Sequence, residues 1–183
     1  MAEPAEPQPP VYFELHIAPL MRELDRRHMQ YIREWDLLDY ATVVELHGTI
    51  LDQLVDKKDP MPTLKTGGPW PPEWIQLFKR WIEQKCQRLE RAAGTYVATR
   101  EGDDVVLRAT GDAPGPGYVV WLGARVPQNG PYELALYQKP PQQAAGITQV
   151  VPFSVQERFP DSEARIVSFK VEDAKGLQTV GVT

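Results

Sequence analysis

The hydrophobic period of this chain changes once, and that change limits what it can fold into. Up to about residue 93 apolar side chains recur every three or four positions; from Thr95 onward they alternate. The first pattern gives an apolar stripe on a helix, and the second gives an apolar face on a strand. The expected architecture is α+β in two segregated parts. A helical domain spans residues 12–93 and an antiparallel β-sandwich spans 94–183.

The helical part reads as three pieces. The first covers residues 12–35, with Phe13, Ile17, Leu20, Met21, Leu24, Met29, Tyr31 and Ile32 as a stripe interrupted by Pro19. Proline is tolerated in a first helical turn, so regular helix is expected to begin near Pro19. The second covers residues 40–55, with Asp39 as its N-cap. A loop follows, stiffened by Pro60, Pro62, Pro69, Pro71 and Pro72. The third helix starts at Pro71 or Pro72 and carries Trp74, Leu77, Phe78, Trp81, Ile82 and Leu89 on one face. Ala92 and Ala93 close it, with Gly94 as a left-handed end.

Beyond the seam, short alternating runs cover residues 96–100, 105–110, 118–122, 132–137, 148–159, 164–171 and 177–182, separated by turn residues such as Glu101-Gly-Asp-Asp104. No helical stretch intervenes. Many short strands with frequent turns are the pattern of a sandwich, immunoglobulin-like in outline.

Composition excludes several function classes. Residues 1–92 carry 12 basic and 15 acidic side chains, and residues 93–183 carry 8 and 10. Neither half has the basic footprint of a nucleic-acid module, and anionic membrane surfaces are disfavoured for the same reason. Cys86 is the single cysteine, so no internal disulfide forms. Residues 1–11 are acidic and proline-rich, without the apolar run of a secretory signal, and read as a disordered leader. The cytoplasm is the expected compartment.

Three short motifs stand in a recognisable order. An apolar-x-Pro-apolar stretch, Ile17-Ala-Pro-Leu-Met21, comes first. Met61-Pro62 follows, and then a closing helix with Trp74-Ile75 and Arg80-Trp-Ile-Glu83. Over residues 13–85 this resembles a class I cytochrome c domain that has lost its haem site. Where the family carries Cys-x-x-Cys-His, this chain reads Asp25-Arg-Arg-His-Met29, and both thiols needed for thioether attachment are missing. The resemblance implies the three-helix shape without the electron-carrier activity, and no cofactor is expected. Large side chains (Phe13, Met21, Met29, Trp35, Met61, Trp70, Trp74, Phe78 and Trp81) are expected to fill the space, because an empty cavity is costly.

Catalytic patterns are sparse. The three histidines, His16, His28 and His47, share no metal-ligand spacing. There is no phosphate loop and no nucleophile elbow. No catalytic or metal-binding residue is assigned. The leading expectation is a non-catalytic accessory protein that docks a protein partner or a second copy of itself. A preorganised surface at Met61, Pro62, Trp70 and Trp74 would serve, because proline and tryptophan in a fixed loop dock at low entropy cost. The alternative is a small enzyme or a metal- or ligand-binding protein with a pocket in the helical domain, using His28, His47 and Asp25.

Overall fold

A computed structural model describes residues 8–56, 62, 68–128, 130–141 and 149–183. The chain divides into two compact units, Met1–Arg88 and Leu89–Thr183. It is mixed α+β, with the helices in the first unit and the strands in two sheets of the second.

The first unit begins earlier than the leader reading allows. The Val11 amide donates to the Gln84 side-chain oxygen at 2.7 Å, and Val11 is fully buried. A π-helical turn, Phe13–Ile17, runs into a 3-10 turn, Ala18–Leu20, that holds Pro19. Regular helix does not start there. Met21 and Arg22 are extended, and α1 spans Glu23–Arg33. Ala18, before Pro19, keeps helical backbone, and Pro19 sits in the first turn, where its missing amide costs nothing; the break comes after Leu20, at Met21. Helix α2, Tyr40–Val55, starts as expected, with the Asp39 carboxylate accepting from the Thr42 amide at 2.8 Å and its hydroxyl at 2.7 Å. These two bonds hold the Asp39 carboxyl below its ordinary range.

Helix α3, Pro72–Glu83, stops ten residues short of the expected end. Lys85 and Cys86 both adopt left-handed φ (66° and 52°), and the Cys86 amide returns to the Trp81 carbonyl at 2.9 Å. A chain reversal closes α3 there, without the glycine usual in that role. The helical pattern continues in sequence to Leu89, but residues 86–89 lie in neither helix nor strand.

The core of this unit is a run of aromatic contacts. Tyr40, Phe13, Trp81, Phe78, Trp70 and Trp74 touch in succession, with ring centroids 5.5 to 6.2 Å apart. Such pairs add about 0.5–1.5 kcal/mol each beyond burial. The Trp81 indole donates to the Gln87 carbonyl at 2.8 Å, so its one polar atom is satisfied.

In the second unit, β1 is Glu90–Arg91, β2 Gly94–Glu101, β3 Asp104–Ala113, β4 Val119–Ala124, β5 Glu133–Lys139, β6 Val151–Pro160, β7 Ser168–Asp173 and β8 Gly176–Gly181. Strands β2, β3 and β6 form one antiparallel sheet. In the other, β4 flanks β5 on one side; β1 and β7 share its opposite side, and β8 follows β7. The all-antiparallel expectation fails at the isolated parallel bridge between Ala98 and Val182, and again where β5 and β7 are parallel over Glu133–Ala135. Between them the chain crosses to the other sheet as β6, and it returns in the same direction. Ala98, Val105, Leu107 and Ala109 from one sheet and Leu122, Leu134, Leu136, Phe169 and Val171 from the other make a single core. Gly111 has no room for a side chain: a Cβ would lie 2.5 Å from the Ala93 carbonyl oxygen.

Two buried carboxylates tie this unit's turns. Asp173 accepts from Tyr96 Oη at 3.0 Å, Gln178 Nε2 at 2.8 Å and the Lys175 amide at 2.7 Å. Burial, and then the bond to Asp173, push the Tyr96 hydroxyl well above its usual range. Asp161 accepts from the Arg165 and Ile166 amides at 2.8 and 2.9 Å and pairs with Arg100 at 2.9 Å. Burial alone would raise the Asp161 carboxyl, but the Ile166 and Arg165 amides and Arg100 outweigh it and hold it low.

A carboxyl depressed in the native state stabilises the fold above its unfolded value and loses that contribution as pH falls through the native value. Urea titrations of the wild type should therefore show stability falling below about pH 4, the unfolded aspartate value, and Asp161→Asn should be less stable at pH 7 with a flatter acid limb. Asp39→Ala should cost about 1 kcal/mol at pH 7 in the same assay. Equal acid limbs in wild type and Asp161→Asn would remove Asp161 from this account.

Candidate functional site

Helix α1 carries more apolar surface than its own unit covers. At about 100° per residue, Tyr31, Leu24, His28, Ile32, Asp25 and Met29 fall in one arc of about 160°. Asp25 is turned inward and buried, and Met29 is half-buried beside it. The other end of the arc faces solvent: Leu24 is 58% exposed, Tyr31 90% and Ile32 53%. The periodicity expected to define a core stripe is present, but half of it is on the outside.

The rotation of α1 is set by Asp25. Its carboxylate takes a two-pronged bond from Arg22, Nε to Oδ2 at 2.8 Å and Nη2 to Oδ1 at 3.1 Å, and the Trp70 indole reaches Oδ2 at 3.4 Å. Arg22 also donates to the Gly68 carbonyl at 2.8 Å, which ties the start of α1 to the chain entering α3. A forked guanidinium–carboxylate pair is among the stronger and more directional contacts a protein makes.

This pair borders a cleft with a cavity volume of about 70 Å³, which Met21, Asp25, His28, Met29, Trp35 and Trp70 line together with Pro62 and residues of α2. The walls are largely apolar. Arg33 lies over the Trp35 ring, 5.9 Å from its centroid.

The structure thus brings together two of the three alternative ligand candidates, Asp25 and His28. His47 is elsewhere on α2, with Nδ1 2.6 Å from the Val44 carbonyl oxygen, and it does not line the cleft. His16 accepts from the Tyr12 amide at 2.9 Å. Of the expected docking surface, Pro62 and Trp70 line the cleft, Trp74 stacks edge-on against Trp70 at 5.8 Å outside it, and Met61 lies outside the described residues. Of the side chains expected to fill the centre, Phe13, Trp70, Trp74, Phe78 and Trp81 belong to the aromatic run, whereas Met21, Met29 and Trp35, with Trp70, line the cleft. Leu24, Tyr31 and Ile32 were not singled out as a surface from sequence. The available signal was the width of the arc, too broad for one covered face.

Among the described residues no three His, Cys, Asp or Glu side chains converge as a metal site. Burial pushes the Cys86 thiol up, which disfavours its thiolate. No helix among the described residues is long and apolar enough to cross a membrane. Comparison of the chain with protein-family models, with curated proteins and with solved structures finds no match.

Arg22→Ala should leave the Asp25 carboxylate buried with only the long indole bond. Removing one partner of a buried pair is strongly destabilising; because Arg22 is partly exposed, the expected loss is about 2 kcal/mol. Asp25→Asn, which removes the charge along with its need for a cation, should lose less. Urea denaturation of both variants checks the order, and a larger loss for Asp25→Asn would overturn it.

Proposed function

We propose that this is a non-catalytic interaction protein whose helical unit docks a protein partner through α1 and the adjoining cleft. The observation that carries the reading is the solvent-facing row Leu24, Tyr31 and Ile32. Large apolar side chains grouped on one exposed face mark an interaction surface, whereas scattered ones do not. Tyr31 has the profile of an interface anchor: large, amphipathic and with few rotors to freeze. The cleft beside the row has room for a single partner side chain.

The cytochrome c-like shape of residues 13–85 belongs to this proposal. Its support is that Asp25, His28 and Met29, from the stretch that stands at the haem-site position, line one cleft with Pro62 of Met61-Pro62. A cavity of about 70 Å³ falls far below the roughly 300–1,000 Å³ of pockets for drug-sized ligands. The centre is instead occupied by the aromatic run. The sandwich reading of the second unit is supported by the core that its two sheets share.

A second reading keeps the cleft as a pocket for a small ligand. The presence of Asp25 and His28 in one apolar cleft favours it. Its size, and the neutralisation of Asp25 by Arg22, rank it below docking.

Replacing Tyr31 with a photo-crosslinking phenylalanine analogue in the cells that make the protein tests the docking reading. The expected product is a discrete protein adduct at α1, absent when the analogue replaces exposed Gln76 on α3. Equal, diffuse adducts at both positions, or none at position 31, would sink the reading.

A further inference from the structure

We infer that the strand unit holds a second binding site, in the gap between β2 and β8, and that it takes a short, uncharged, extended peptide segment. The inference stands apart from the docking reading for α1. The two strands are edges of different sheets, and they join at one place, the parallel bridge between Ala98 and Val182. Around it the Thr183 amide donates to the Ala98 carbonyl and the Arg100 amide donates to the Thr183 carbonyl, each at 2.9 Å. No ladder continues from that bridge toward Tyr96. At the far end the gap is closed by side chains: Asp173 accepts from the Gly94 amide at 3.3 Å, and Lys175 donates to the Gly94 carbonyl at 3.3 Å.

Strand alternation fixes what faces the gap. Main-chain groups of successive residues point to opposite edges of a strand. Gly94, Ala98 and Arg100 turn theirs away from β3, so Tyr96 between them does the same. On β8 the Val182 amide donates to the Val167 carbonyl on the β7 side, whereas Thr183 reaches β2. Gly181 and Thr179 therefore also aim their main chain at β2. Amides and carbonyls at strand spacing on two walls are the partners of another main chain, which gains affinity from those bonds. The opening between the ties at Gly94 and Ala98 spans roughly 13 Å, at about 3.3 Å per residue, and so takes about three guest residues.

The cavity in the gap has a volume of about 410 Å³. One water takes about 30 Å³, so the gap is far larger than a bridging water or two requires. It falls among the roughly 300–1,000 Å³ of sites that hold a ligand. None of the residues lining it is charged, so a charged guest side chain would find no counter-ion there. Val97, 59% exposed, lines the mouth as an apolar neighbour for a guest side chain. So short a contact binds weakly, with a dissociation constant on the order of 0.1–1 mM.

Nuclear magnetic resonance titration of the whole isotope-labelled chain with acetyl-Val-Thr-Val methylamide, to about 5 mM, gives the test. The expected result is saturable shifts of the Tyr96, Thr179 and Gly181 amides. The same peptide carrying an N-methyl group on its central amide should bind about tenfold more weakly, the loss of one main-chain hydrogen bond. Thr179→Pro removes an amide hydrogen that faces the gap and leaves the ladder to β7 intact, as an edge strand tolerates. It should weaken binding to the same extent, with the far-UV circular dichroism unchanged. Should that variant fail to fold, the methylated peptide on the wild type still decides. No saturable shift at these amides, equal binding of the methylated peptide, or unchanged binding by a folded Thr179→Pro overturns the inference. None of these outcomes bears on adducts at position 31, so the two readings fail separately.

Discussion

The Arg22–Asp25 pair, tied to the Gly68 carbonyl and the Trp70 indole, decides which side of α1 is inside. Helix α1 is apolar over an arc wider than one covered face, so hydrophobic burial alone would not choose its rotation. A buried carboxylate does choose, because Arg22 turns with it but is itself fixed to the Gly68 carbonyl, and rotating the pair would break that bond and the Trp70 indole contact. With Asp25 held inward, Met29 follows it to the cleft, and Leu24, Tyr31 and Ile32 are committed to the outside. Arg22's further bond to the Gly68 carbonyl anchors the same corner to the chain entering α3. Both the cleft and the exposed row follow from this one polar contact.

The same device recurs in the strand unit. Asp161 and Asp173 are buried acids that gather amides, an arginine and a tyrosine hydroxyl around turns. A chain with more acidic than basic groups uses some of its acids internally as connectors. Their cost is met because nearly every oxygen has donors within hydrogen-bond distance.

Much of this was legible from sequence. The change of period located the helices and strands, because each has its own repeat and the two cannot be superposed. Asp39 was identifiable as a cap because its role is local. Three features were not legible, each for a non-local reason. The end of α3 depends on Lys85 and Cys86 taking left-handed backbone, which neither residue type signals. The parallel pairing of β5 with β7 depends on β6 crossing to the other sheet. The exposed side of α1 depends on Gly68 and Trp70 meeting Arg22 and Asp25, 46 and 45 residues apart. Of the site, Asp25 and His28 are legible as pocket candidates and Pro62 and Trp70 as docking residues; the exposed row is not, because an apolar stripe is read first as core.

The surfaces of the two units are managed differently, and this bears on where association would occur. Strand β6 lies at the edge of its sheet, and an open edge is a template for pairing with another chain. Here Pro152 and Pro160, which lack amide hydrogens, stand near its two ends, and the exposed Arg158 is held by Glu101 and Asp104. Proline and charge are the usual guards against edge pairing. No equivalent guard covers α1: its outer arc has Leu24, Tyr31 and Ile32 where a solvated helix would carry polar side chains, and Arg27 and Glu23 flank the row without screening it. With the β6 edge of one unit blunted and a helix face of the other left apolar, backbone pairing through β6 is the disfavoured route of association, and the docking proposed for α1 would rest on side-chain contacts.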